Sequence, residues 1–160
     1  MSGPMGANPG AAAAGGRVPV ILLVEDNEND ELLARHALGV MGISAQLEVA
    51  RDGEEALRLL MGDGKTGKRS SEPALVLLDL NLPKLNGHEV LRRLAANERT
   101  RHLPVVVLTS SNDERDVTSA YELGARSYVC KPIEFEQFVN ALRVTLSYWL
   151  TANVPPPRAQ

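Results

Sequence analysis

The sequence predicts an α/β domain, a doubly wound parallel sheet with helices on both faces, and two observations predict it. Short apolar runs rich in Val, Ile and Leu recur at Ile21-Leu22-Leu23-Val24, Leu75-Val76-Leu77-Leu78, Val105-Val106-Val107-Leu108 and Tyr128-Val129-Cys130. They are too short for helices, and apolar throughout as strands buried on both faces are. Between them lie helix-length stretches with apolar residues at helical spacing, which gives the alternation of a parallel sheet. A chain of 160 residues, 44% of them hydrophobic, suits a single core.

The elements follow in order. The first strand ends at Glu25-Asp26, and Leu33, Ala37, Val40 and Met41 then share a helical face that Gly42 terminates. A weaker strand over 46–50 leads to Asp52-Gly-Glu-Glu55, a capping-box pattern opening a helix with Ala56, Leu57 and Leu60 inward, stopped by Gly62. The next strand ends at Asp79. Pro83 breaks regular structure, and Asn86-x-x-Glu89 caps a helix carrying Val90, Leu91 and Leu94. Pro104 opens the strand that ends at Thr109, Ser111-x-x-Glu114 caps a helix with Val117, Ala120 and Tyr121 on one face, and Gly124 closes it. The fifth strand ends at Lys131-Pro132. A last helix from 134 to 150 places Phe135, Phe138, Val139, Leu142 and Leu146 in the core. All crossovers are expected to be right-handed.

Residues 1–17, rich in Gly, Ala and Pro, read as a flexible leader, 18–150 as the domain and 151–160 as a short tail. The basic, polar segment 62–73, with Lys65, Lys68 and Arg69, reads as a solvated insertion. Cys130, inside an apolar strand, reads as a buried small hydrophobe. The final helical turn, Tyr148-Trp149-Leu150, is expected to overhang the sheet and to form a homodimer contact. A net charge of −3 argues against nucleic acid or an anionic membrane surface as partner. One cysteine excludes an intrachain disulfide and suits the cytoplasm, and no apolar run approaches the ~20 residues of a membrane span.

In doubly wound sheets, ligands bind beyond the carboxyl ends of the strands. Glu25, Asp26, Asp79, Thr109 and Lys131 all fall there, with Asp79 as the expected centre. A carboxylate can attack phosphorus to form an acyl phosphate if a divalent cation neutralises the repulsion between the partners. Mg²⁺ (or Mn²⁺) would be held by Asp26 and Asp79, by Glu25 through a water and by the backbone carbonyl of Asn81. Lys131 would grip one phosphoryl oxygen and the Thr109 hydroxyl another. Any single acidic strand end could instead be a helix cap. His36, His88 and His102 lack metal-ligand spacing, and His88-Glu89 falls at a helix start.

The motifs Val24-Glu-Asp-Asn27, Leu77-Leu-Asp-Leu-Asn-Leu-Pro83, Asn86-Gly-x-Glu89, Leu108-Thr-Ser-Ser111 and Cys130-Lys-Pro132 resemble, in order and spacing, the receiver domain of two-component response regulators. The resemblance implies a flavodoxin-like strand order 2-1-3-4-5 and a phosphoacceptor Asp79 served by a sensor histidine kinase. It implies a cis Lys131-Pro132 peptide, a rotameric switch aromatic at Tyr128, and positions Asn81 and Ser111 that tune phosphate lifetime. Within receivers the chain is similar to single-domain regulators paired with bacterial phytochromes. That implies a bacteriophytochrome kinase or phosphatase as partner, and signalling by contact with a further protein rather than enzymatic turnover.

Two rival chemistries fit less well. An aspartyl-nucleophile phosphatase usually carries a second carboxylate two residues after the nucleophile, where this chain has Asn81. A dinucleotide-binding domain needs glycines after the first strand, where this chain has Glu25-Asp-Asn-Glu-Asn-Asp30. A binding module with a vestigial site would not need all five positions.

Overall fold

Five strands and five helices alternate along the chain in a computed structural model that describes residues 18–62 and 72–157. The order is β1 (Val20–Val24), α1 (Glu28–Met41), β2 (Gln46–Ala50), α2 (Gly53–Met61), β3 (Leu75–Leu78), α3 (Gly87–Ala96), β4 (Val105–Thr109), α4 (Glu114–Glu122), β5 (Ser127–Cys130) and α5 (Phe135–Ser147). A π-helical turn, Tyr148–Ala152, closes the last helix. The leader and the Lys65, Lys68 and Arg69 positions lie outside the described residues.

All strand pairs are parallel and the sheet order is β2-β1-β3-β4-β5, as expected for a flavodoxin-like domain. The period-two alternation of strand side chains divides the core in two. Leu22, Val24, Val76, Leu78, Val105 and Val107 pack against α2, α3 and α4. Ile21, Leu23, Leu75, Leu77, Val106 and Leu108 pack against α1 and α5. Being covered twice is why β1, β3 and β4 lack polar residues short of their ends.

Helix starts are set by side-chain caps that satisfy otherwise unpaired amides. Asn27 accepts from the amides of Asn29 and Asp30, Asp52 from Glu55 and Asn86 from Glu89. The return bond at α2 comes from the Arg51 amide, which donates to Glu55 Oε2 at 3.0 Å. At α4 the sequence expectation needs correction. Asp113, not Ser111, is the cap, because the Ser111 hydroxyl accepts from the Asp113 amide and draws that residue onto the helix end.

Six side chains differ from their expected burial. Val40 and Tyr121 lie at the margins of their helical stripes and are exposed. Phe135, in the first turn of α5, is 58% exposed, its ring 5.9 Å from that of His36 on α1. Cys130 is exposed because β5 is an edge strand and Cys130 its last residue. At the far end of α5, the wider π turn brings Leu150 into the core at 7% exposure and half-buries Trp149 against it. The expected Tyr148-Trp149-Leu150 overhang therefore reduces to Tyr148, which is 51% exposed and edge-on to Trp149. Among the described residues no helix is long and apolar enough to cross a membrane.

Candidate phosphoacceptor and metal site

Strand register brings the site together. Val24 pairs with Leu78, so the residues that follow, Glu25 and Asp79, leave the sheet side by side. Thr109 pairs with Cys130, which puts Lys131 one step beyond Thr109. The ladder continues past the strand ends: the amides of Glu25, Asp79 and Lys131 donate to Ala50, Val24 and Thr109 carbonyls at 2.9, 3.1 and 2.7 Å. Backbone bonds of this kind hold the functional side chains on rigid elements rather than on free loops.

Asp79 is almost fully buried and both of its oxygens are engaged. Oδ1 accepts from the Thr109 hydroxyl at 2.9 Å and from the Asn81 amide at 3.0 Å, while Oδ2 accepts from Lys131 Nζ at 2.9 Å. Carboxylate oxygens of Glu25, Asp26 and Asp79 lie within 4.8 Å of one another; Glu25 is 2% exposed and Asp26 faces solvent. Lys131 Nζ also donates to Glu25 Oε2 at 2.5 Å and to Asp30 Oδ2 at 2.8 Å. Three carboxylates thus surround a single ammonium, with Asp26 beside two of them, so the cluster is strongly anionic when ionised.

Burial pushes the Glu25 carboxyl up to about 7; the bond to Lys131 pulls it down and the Asp79 charge adds to the rise. For Lys131, burial disfavours the charge, but hydrogen bonds to Asp30, Asp79 and Glu25 win and hold it above the usual lysine range. Three clustered carboxylates with no nitrogen or sulfur donor match the preference of a hard divalent cation for oxygen.

Gly87 shows how closely α3 is docked on the Asp79–Leu80 backbone: a Cβ there would stand 2.5 Å from the Asp79 carbonyl oxygen and 2.7 Å from Leu80 Cα. Only glycine permits that approach. The Asn86-Gly-x-Glu89 motif therefore caps the helix and seats it against Asp79.

The Tyr128 hydroxyl donates to the Ser111 carbonyl at 2.8 Å, and its ring packs on the α2, α3 and α4 side of the sheet. The Ser111 hydroxyl donates to Asp116 Oδ2 at 2.5 Å, and His88 Nε2 stands 3.7 Å from Asp116 Oδ1. The expected cis peptide before Pro132 is corrected: no peptide bond among the described residues is cis. The trans form is intrinsically favoured by about 0.5–1 kcal/mol, and with it Lys131 already reaches three carboxylates, so no contact in the site demands the other isomer. Asp30 went unrecognised in the sequence because an acid in a first helical turn reads as a dipole partner. Its spacing four residues after Asp26, on the face turned to the site, is the signal that could have found it.

An acidic cluster with a buried carboxylate, a hydroxyl and a lysine at the carboxyl edge of a 2-1-3-4-5 sheet defines a class of phosphate-responsive signalling domain. The chain belongs to the response regulator receiver domain family, whose pattern matches residues 21–143. The probable methanogenesis regulatory protein FilR2 of Methanothrix harundinacea is 42% identical over 140 residues, covering 86% of this chain and 87% of that protein. Response regulator Rcp1 of Synechocystis is 39% identical over 137 residues, covering 85% and 92%. Among solved structures, the Mn²⁺-bound form of Rcp1 has a TM-score of 0.80 at 37% identity, covering 87% of this chain and 99% of that one. The phosphorylated cyanobacterial phytochrome response regulator RcpA has a TM-score of 0.82 at 34% identity, covering 88% and 100%. The bacteriophytochrome response regulator RtBRR has a TM-score of 0.66 at 45% identity, covering 88% and 86%. This chain is therefore a receiver-domain signalling protein of two-component systems, similar to phytochrome-associated regulators, and its acidic cluster is a divalent-metal site for Mg²⁺ or Mn²⁺.

Proposed function

We propose that this protein takes a phosphoryl group onto Asp79 from a sensor histidine kinase of the bacteriophytochrome type and signals by a change of surface. The observation that carries the reading is the set of bonds on Asp79: Lys131 on one oxygen, Thr109 and the Asn81 amide on the other, beside Glu25 and Asp26. The partner reading is supported by the names of RcpA and RtBRR, which describe phytochrome response regulators.

In the transfer, an Asp79 oxygen attacks phosphorus, the P–N bond to the kinase histidine breaks, and the imidazole nitrogen keeps the electron pair. Asp26 and Asp79 would hold a divalent cation directly and Glu25 through a water, with the Asn81 carbonyl as a neutral ligand. Bound there, such a cation would supply the charge neutralisation that lets phosphate and carboxylate approach. Lys131 shifts from the carboxylate to a phosphoryl oxygen, and the Thr109 hydroxyl to another. That movement draws on the connection carrying Ser111, and so on Tyr128, which the Ser111 carbonyl holds. Asn81 and Ser111, on the two connections beside Asp79, set how readily water reaches the phosphate and so its lifetime.

The protein works in the cytoplasm as a homodimer that passes the signal to a further protein. Val144 and Tyr148, four residues apart and both exposed on α5 and its closing turn, replace buried Leu150 as the contact, with Trp149 behind them. Incubation with Mg²⁺ and a small acyl-phosphate donor tests the reading. One phosphoryl group, labile to hydroxylamine and absent when the metal is chelated, is the expected result; no incorporation, or incorporation indifferent to chelation, refutes it.

A further inference from the structure

A lysine ammonium has three N–H donors and no acceptor. Lys131 uses all three, on Glu25, Asp79 and Asp30. The first two belong to the oxygen cluster fitted to a divalent cation, and Asp30 does not. A cation in that cluster draws on the lone pairs and charge that Lys131 otherwise leans on, and it repels the ammonium. Asp30 is then the one carboxylate of the three with no competing duty.

Asp30 is also fixed in place. Its amide is held by Asn27 Oδ1 at 3.3 Å in the first turn of α1. Side-chain exposures of 10% for Lys131 and 20% for Asp30 shield the 2.8 Å contact from solvent. An ammonium released from Asp79 by a nearby cation has a long flexible stem and would swing toward water unless something held it.

We infer that Asp30 is a positioning residue that keeps Lys131 at the phosphoacceptor when Glu25 and Asp79 are engaged elsewhere. The inference rests on the reading of Asp79 as phosphoacceptor, and the contact itself is testable without it. Asp30 touches neither the phosphoryl group nor the cation; it acts through Lys131 alone.

Two measurements on the full chain decide the matter. The first is thermal unfolding in chelator of the wild type, Asp30→Asn, Lys131→Ala and the double variant. Removing a carboxylate from an anionic cluster relieves repulsion, so Asp30→Asn is expected to raise the melting temperature in the Lys131→Ala background. With Lys131 present the same change is expected to read at least about 3 °C lower. Equal shifts in both backgrounds overturn the inference, whether or not the protein can be phosphorylated.

The second is the rate of phosphoryl incorporation from a small acyl-phosphate donor at saturating Mg²⁺. Asp30→Asn is expected to cut the maximal rate about tenfold, the scale of one charge-assisted hydrogen bond. The donor concentration at half-maximal rate stays unchanged, and Asp30→Glu restores most of the loss. An Asp30→Asn rate equal to the wild type, or a loss confined to half-saturation, overturns the inference. A wild type that takes up no phosphoryl group counts against the reading of Asp79 instead, and the unfolding cycle still decides the role of Asp30.

Discussion

The Tyr128 hydroxyl donates to the backbone carbonyl of Ser111 across 2.8 Å, tying the edge strand β5 to the connection that follows Thr109. Thr109 at the same time bonds Asp79. Two residues apart in sequence, Thr109 and Ser111 are thus held by Asp79 and by Tyr128 respectively.

Tyr128→Phe removes the tie and keeps the ring. Amide exchange with and without a beryllofluoride mimic is expected to differ most between Thr109 and Lys131 in the wild type. In the variant the difference shrinks at residues 110–113, because the connection no longer moves with β5. The phosphoryl group only biases two packings by its differential binding, so uptake stays near wild type. An unchanged exchange pattern in the variant would separate Tyr128 from the switch.

Thr109→Val keeps the volume and deletes the hydroxyl from a fully buried position. Asp79 Oδ1 is left with the Asn81 amide alone. The expected cost is about 1–3 kcal/mol of stability, the penalty for an undersatisfied buried polar group, read by denaturant unfolding in chelator. Phosphoryl uptake is expected to survive while the exchange response is lost.

Much of this geometry was legible in the sequence, because strand ends announce themselves: each apolar run stops where the chain leaves the sheet, and in a parallel sheet those ends converge. Glu25, Asp79, Thr109 and Lys131 meet for that reason. What sequence could not show depends on contacts between elements. Asp30 has the sequence pattern of any acid in a first turn, and only the reach of Lys131 from β5 gives it a role. Leu150 and Trp149 continue the α5 periodicity, but a π turn re-aims them inward. Cys130 has a strand-core neighbourhood in sequence and an edge in space.

Stability and metal affinity should depend on pH in opposite directions. Glu25 binds its proton more tightly folded, near 7, than at its ordinary 4.5. Stability from this group is fully present below about pH 4.5 and is lost as pH rises through about 7. The melting temperature in chelator is therefore expected to fall across that window. Mg²⁺ favours the ionised carboxylate, so the rise in melting temperature on adding Mg²⁺ should be larger at about pH 8 than at about pH 5.5. A metal-induced shift that shrinks with rising pH would contradict the assignment.

Gly87→Ala places a methyl against the Asp79 carbonyl and Leu80 Cα, both backbone, so the acceptor loop or α3 must move. Overpacking of this kind costs about 1–3 kcal/mol, and here the strain falls on the Asp79 backbone itself. Denaturant unfolding and phosphoryl uptake are both expected to suffer. A variant as stable and as active as the wild type would show that the approach is not tight.

Homodimer formation through α5 is checked by light scattering on Tyr148→Glu and Val144→Glu, which alter exposed positions and leave buried Leu150 in place. Both variants are expected to halve the mass of a wild-type dimer. Unchanged mass would move the contact to another face.

The most direct test is intact-mass measurement of the wild type and Asp79→Asn after incubation with Mg²⁺ and an acyl-phosphate donor. The wild type should gain one hydroxylamine-labile phosphoryl group and Asp79→Asn none. Equal labelling of Asp79→Asn would place the acceptor elsewhere and contradict the role assigned to Asp79.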